Sequence, residues 1–179
     1  MYFYIIILAI VIIAVYALSV QRQLVRAKEY IDNSFSQIGV NQQSRWDALT
    51  QLAKATSAYS SHEYRTLMDV IDSRKSNTTL ENLESNEQAI QSALSRVNVL
   101  AEQYPDLKAS QVYIETMKSV NDYENKVRVA RMVFNDSVTK YNRIVKQLPS
   151  SIFASMFGFS VQEYLNADSK KSEMPELNF

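Results

Sequence analysis

The stretch Met1–Val20, MYFYIIILAIVIIAVYALSV, decides how everything after it is read. It contains no charged residue, no Pro and no Gly, and it is dense in Ile, Val and Leu. At about 1.5 Å of rise per residue, a helix of this length reaches across roughly 30 Å of hydrocarbon. A transmembrane anchor is therefore expected over residues 1–21. A cleavable signal peptide would place a basic segment before a shorter apolar core and close on small residues. Here no basic side chain precedes the run, and Ala17-Leu18-Ser19 is a weak cleavage match, so the segment is read as retained. Tyr2, Phe3, Tyr4 and Tyr16 stand near its two ends, where amphipathic rings favour the headgroup layer.

Immediately outward come Arg22, Arg26 and Lys28, opposed by Glu29 and Asp32. The positive-inside bias weighs Lys and Arg, which predicts the N-terminus outside and the body in the cytoplasm. The chain of 179 residues leaves enough beyond the anchor for one domain with a core. Nineteen basic and nineteen acidic side chains cancel, so no net field draws the body toward nucleic acid. With no Cys, disulfides and thiolate catalysis are absent. Two Gly and three Pro leave helix permitted almost everywhere, and the body reads as all-α.

Apolar or aromatic residues recur at Leu24, Ile31, Phe35, Ile38, Leu49, Leu52, Tyr59 and Leu67, the stepping of one helical stripe. This first helix is expected to run to about Arg74, with Gly39 as a place for a bend or a close contact. Ser73–Thr79 is a polar break, and Thr78 with Glu81 has capping-box spacing for a second helix from about Leu80. That helix carries Leu83, Ile90, Leu94, Val97, Ala101 and Tyr104, a coiled-coil-like seam, and stops at Pro105. Asp106 is expected to cap a third, with Tyr113, Met117, Val120, Val127, Ala130, Phe134, Tyr141, Ile144 and Leu148 inward, ending at Pro149. Ser150 and Ser151 are expected to cap a short helix with Ile152, Phe153, Met156 and Phe157, closed by Gly158. The architecture is then an N-terminal transmembrane helix followed by an antiparallel up-and-down bundle of three long helices and one short one. Residues 22–159 form the bundle and 160–179 a tail.

Little chemistry is visible. His62 is the sole histidine, so neither a two-histidine zinc helix nor a pair of Glu-x-x-His motifs can be built. Two isolated glycines cannot cradle a phosphate. No metal, no cofactor and no enzymatic activity are expected. The polar set that stands out is Asp32 and Asn33 on the first helix with Glu124, Asn125, Arg128, Arg131, Asn135 and Asp136 on the third. Pairs four apart share a helix face. Such residues are either solvated pairs or, beside an apolar stripe, devices that fix how helices register.

Four stretches in order resemble the LemA family of bacterial membrane-anchored helical proteins. They are Ile31-Asp32-Asn33-Ser34-Phe35-Ser36-Gln37-Ile38; Ala58 to Glu63; Ala101-Glu102-Gln103-Tyr104-Pro105-Asp106-Leu107-Lys108-Ala109; and Glu124-Asn125 through Ala130-Arg131, Phe134-Asn135-Asp136 and Tyr141-Asn142 to Phe157-Gly158-Phe159. The chain departs from that pattern at Gly39, Trp46 and Thr50, where the family usually has an acidic residue, His and Pro. The resemblance implies a bundle behind one span in a bacterial inner membrane, and it brings no catalytic residues. It also implies company, since LemA-like genes often neighbour HtpX-type zinc proteases or TPM-domain proteins. The expected function is a non-enzymatic membrane scaffold or adaptor that binds itself or other membrane proteins, as well as the lipid bilayer. The rival expectation is a sensor bundle that binds a small ligand or responds to pH near His62.

Overall fold

The structure is a computed structural model that describes residues 2–74 and 78–165. Met1, residues 75–77 of the expected polar break and residues 166–179 of the expected tail lie outside the described residues. Among the described residues six helices follow in order: α1 Tyr2–Thr56, α2 Ser61–Asp72, α3 Leu83–Gln103, α4 Pro105–Ala109, α5 Gln111–Lys146 and α6 Ser150–Met156. No strand occurs among the described residues. The all-α expectation, with an N-terminal apolar helix leading into a helical bundle, is met.

The chain divides into two compact units, one of residues 1–35 with 131–179 and the other of residues 36–130. They are called the terminal and the central unit below.

In the central unit the expected stripes do become core. Leu49, Leu52, Leu67, Ile90, Leu94, Val97 and Val120 are buried in one cluster with Trp46 and Leu107. Tyr59 and Tyr104 pack against that cluster, their rings 5.8 Å apart. Three boundaries differ from the sequence reading. The first helix stops at Thr56 rather than near Arg74. Thr56 Oγ1 donates back to the Ala53 carbonyl at 2.7 Å, and Ser60, in extended conformation, accepts from the Glu63 N–H at 3.3 Å as the N-cap of α2. Ser60 is thus an N-cap, its own N–H donating to the Thr56 carbonyl at 2.9 Å, that the apolar stripe running through Tyr59 and Leu67 had concealed. The second difference is at α3, where reciprocal bonds join Thr79 and Asn82: the Thr79 N–H donates to Asn82 Oδ1 at 2.8 Å, and the Asn82 N–H donates to Thr79 Oγ1 at 3.3 Å. The pair lies one residue beyond the expected Thr78 and Glu81, and α3 begins at Leu83.

The third difference concerns Asp106. It is the second residue of the five-residue α4, whose Pro105 occupies the first turn, where a missing N–H costs nothing. The cap of α5 is instead Ser110, whose Oγ accepts from the Tyr113 N–H at 3.3 Å and donates to the Leu107 carbonyl at 2.8 Å. One hydroxyl thereby closes α4 and opens α5. α1 continues through Gly39, and the glycine sits against Thr78, whose Cβ would lie 3.4 Å from an added Cβ, which is the close contact expected there.

In the terminal unit, α1 buries Val20, Leu24, Ile31 and Ser34 along one face, and α5 buries Phe134, Val138 and Tyr141. The Phe35 and Phe134 rings meet edge-on at 5.9 Å. Every Ile, Leu and Val from Ile5 to Leu18 is exposed, so this part of α1 has an apolar surface on all sides. A helix of that kind needs a nonaqueous surrounding. After α5 the Leu148–Pro149 peptide is cis. Ser150 does not cap its own helix as expected; its Oγ donates to the carbonyls of Ile144 and Gln147, both at 2.7 Å, and satisfies the end of α5. Gly158, at φ +77°, ends α6. The Phe159 N–H reaches the Ala154 carbonyl at 2.9 Å and the Gly158 N–H that of Ser155 at 3.1 Å, which is the Schellman pattern expected there.

Candidate functional site

Two polar constellations stand out, one in each unit. In the terminal unit, α5 presents two asparagines seven residues apart. Asn142, buried, donates through Nδ2 to the Gln162 carbonyl at 2.8 Å and accepts at Oδ1 from the Gln162 N–H at 2.9 Å. Asn135 does the same for Leu165, with both bonds at 2.9 Å. Seven helical residues rise about 10.5 Å, and three residues of extended chain cover about 10 Å. The spacing of the two amides therefore matches an extended segment running antiparallel to α5. Around them, Tyr141 donates its hydroxyl to the Ser160 carbonyl at 2.9 Å, and Thr139 Oγ1 lies 3.4 Å from the Tyr164 hydroxyl. Burial pushes the Tyr141 hydroxyl above the ordinary tyrosine range, partly offset by a hydrogen bond with Gln162. Hydrogen bonds with Thr139 and then Asn142 hold Tyr164 below it. The start of the expected tail is thus strapped to α5.

In the central unit a charge is buried inside the helix packing. Arg45 is only 1% exposed, and its Nη1 contacts Glu87 Oε1 at 2.8 Å and Oε2 at 2.6 Å. Its Nε and Nη2 have no hydrogen-bond partner among the described residues. Close in sequence, buried Gln42 donates to the Leu83 carbonyl at 3.3 Å and accepts from Thr78 Oγ1 at 3.2 Å. A buried ion pair of this kind adds little net stability but penalises any arrangement that separates the partners. It fixes how α1 and α3 register.

The residues singled out in the sequence are distributed unevenly over these features. Asn135 is a clamp residue. Asp32, Asn33 and Asp136 are exposed on the terminal unit, where Arg131 is half-buried; Asp32 and Arg131 each have an interaction partner. Arg128, exposed, donates through Nη2 to Asn125 at 3.2 Å within α5, and half-buried Glu124 also has a partner. His62 is exposed in the first turn of α2. Beside it, Glu63, Ser95, Arg96, Val99, Leu100 and Gln103 line a groove of about 200 Å³ that is open to solvent. Ligand pockets are typically enclosed and larger, about 300 Å³ or more. Burial pushes the Tyr113 hydroxyl upward, and Glu102 adds to that shift. Among the described residues no group of three or more His, Asp or Glu is placed to hold a metal.

Sequence reasoning missed Asn142, Gln42, Arg45 and Glu87. The signal was present for three of them. Ile38, Gln42, Arg45, Leu49 and Leu52 step by four and three, so two polar residues occupy the apolar stripe itself. Asn142 follows Asn135 by seven residues on one face.

A long helix whose apolar first part is uncovered, joined to helical packing held by internal polar contacts, defines a membrane-associated helical protein. The family comparison agrees with the sequence resemblance: the LemA family matches residues 34–179, and the chain belongs to that family. It is also similar to the magnetosome protein MamQ of Magnetospirillum gryphiswaldense, with 32% identity over 74 residues. That match covers 41% of this chain and 27% of MamQ, so the chain spans little more than a quarter of its relative.

Proposed function

We propose that this protein is a non-enzymatic membrane scaffold whose helical body, on the cytoplasmic face of a bacterial inner membrane, associates with further copies of itself and with other membrane proteins. The observation that carries the reading is the pair of asparagine amides on α5, each of which pairs with the backbone N–H and C=O of one residue, Asn142 with Gln162 and Asn135 with Leu165. A neighbouring copy carries the same segment and therefore offers the clamp the same backbone pairings. Exchange of this segment joins copies without a new interface. Confinement to one membrane raises their effective concentration and favours that exchange. The family setting adds HtpX-type proteases and TPM-domain proteins as partners to examine. The sensor reading has no comparable support, because His62 is exposed and its neighbouring groove is small and open.

The test uses the absence of native cysteine. Two differently tagged full-length chains, one Thr139→Cys and one Tyr164→Cys, are mixed in the same vesicles and treated with a short bismaleimide. Crosslinked heterodimers are expected, and Asn135→Leu with Asn142→Leu should abolish them. If the double variant Thr139→Cys/Tyr164→Cys closes within one chain while the mixed single variants never join, exchange does not occur and the self-association reading fails.

A further inference from the structure

Helix α6 is inside out. Its buried residues are Ser150 and Ala154, whereas Ile152 is 61% exposed and Met156 66%. Ile152 and Met156, four apart, share one face of α6, and Leu148, 72% exposed in the turn before it, with Phe157 and Val161 after it, adds to the exposed apolar surface. The sequence reading placed Ile152, Phe153, Met156 and Phe157 on this short helix without assigning them a face. In this structure Ile152, Met156 and Phe157 point away from the protein.

What covers this surface is indicated by its place within the terminal unit. The Phe153 ring packs edge-on against the Tyr16 ring of α1, with centroids 5.7 Å apart. Tyr16 lies four residues inside the end of the apolar run at Val20, or about 6 Å along the helix axis. Amphipathic helices lying in a membrane interface bury their apolar face by about 5–10 Å. The depth agrees. From Gln147 to Gln162 there is no charged side chain, while Lys140, Arg143 and Lys146 are exposed on the last turns of α5 just before this segment. An uncharged apolar segment next to exposed basic residues is the composition that suits a bilayer surface carrying anionic headgroups.

We infer that α6 is a second membrane contact, lying in the headgroup and acyl boundary beside the spanning part of α1 with Leu148, Ile152 and Met156 turned into lipid. The inference rests on the reading of residues 1–21 as a span. It means that the terminal unit is seated on the bilayer by two elements, so that α1 alone does not set its orientation.

The experiment places single cysteines at Ile152 and Met156 in the full-length chain, which has none of its own. Each is labelled with an environment-sensitive fluorophore and reconstituted into phosphatidylcholine and phosphatidylglycerol vesicles with acyl-chain nitroxide lipids. Ile10→Cys reports the anchor, and Val112→Cys, exposed in the central unit, reports water. Probes at 152 and 156 are expected to be quenched by the lipid nitroxide at least about threefold more than the probe at 112, as interfacial burial requires. Quenching at 10 with water-like behaviour at 152 and 156 would overturn the α6 contact and leave the anchor standing. Shielding of 152 and 156 from both lipid nitroxide and aqueous iodide would overturn it in favour of a protein partner. No lipid quenching at 10 would remove the anchor, and with it this inference.

Discussion

Truncating Glu87 leaves the Arg45 guanidinium buried without its counter-charge. The expected cost of Glu87→Ala is about 3–5 kcal/mol, whereas Arg45→Met with Glu87→Leu should be neutral or stabilising, because both desolvation penalties vanish together. Trp46 is the single tryptophan and is buried in the same unit, so its fluorescence during urea denaturation of the solubilised chain reads the outcome. Equal losses in the single and double variants would show that packing, rather than charge pairing, dominates there. The pattern of Gln42 and Arg45 within an apolar stripe is legible in the sequence. Their partners are not, since Glu87 lies 42 residues from Arg45 and nothing local announces the pairing. Asn135 was legible as a polar residue beside a stripe; what it holds is 30 residues further on.

At the scale of elements, periodicity fixed the existence of the helices, and local hydrogen bonding fixed their ends. The stripe residues named from the sequence are buried or half-buried along α1, α3 and most of α5, because packing follows the helical period. Ends depend instead on which hydroxyl reaches which orphan N–H, a choice among neighbours that pattern alone does not make. At the junction after α3, Ser110 and Asp106 separate these effects. Ser110→Ala should cost about 1 kcal/mol through loss of the cap. Asp106→Ala, at an exposed position with no side-chain cap bond in α4, should shift stability by no more than about 0.5 kcal/mol. Thermal melts of the two variants under identical conditions check the order; a larger loss for Asp106→Ala would return the cap to that residue. The outward face of α6 was not legible for a different reason. Its apolar spacing is equally good for a core and for a lipid surface, and only its buried Ser150 and Ala154 distinguish them.

For the whole molecule, charge gives the prediction about orientation across a membrane. Arg22, Arg26 and Lys28 are exposed just beyond the apolar part of α1, and Lys140, Arg143 and Lys146 belong to the same unit. A fusion after Phe179 should therefore be active with a cytoplasmic reporter and silent with one that works only in the periplasm. The reverse result would place the body outside. The strap along α5 bears on the chain's tolerance of change. Because two amides a fixed distance apart each grip the backbone of one residue, the segment between Ser160 and Leu165 functions as a ruler whose markings are residue positions. Exchanging a side chain there leaves the spacing of the two pairings intact, whereas adding or removing one residue between Gln162 and Leu165 spoils the measure.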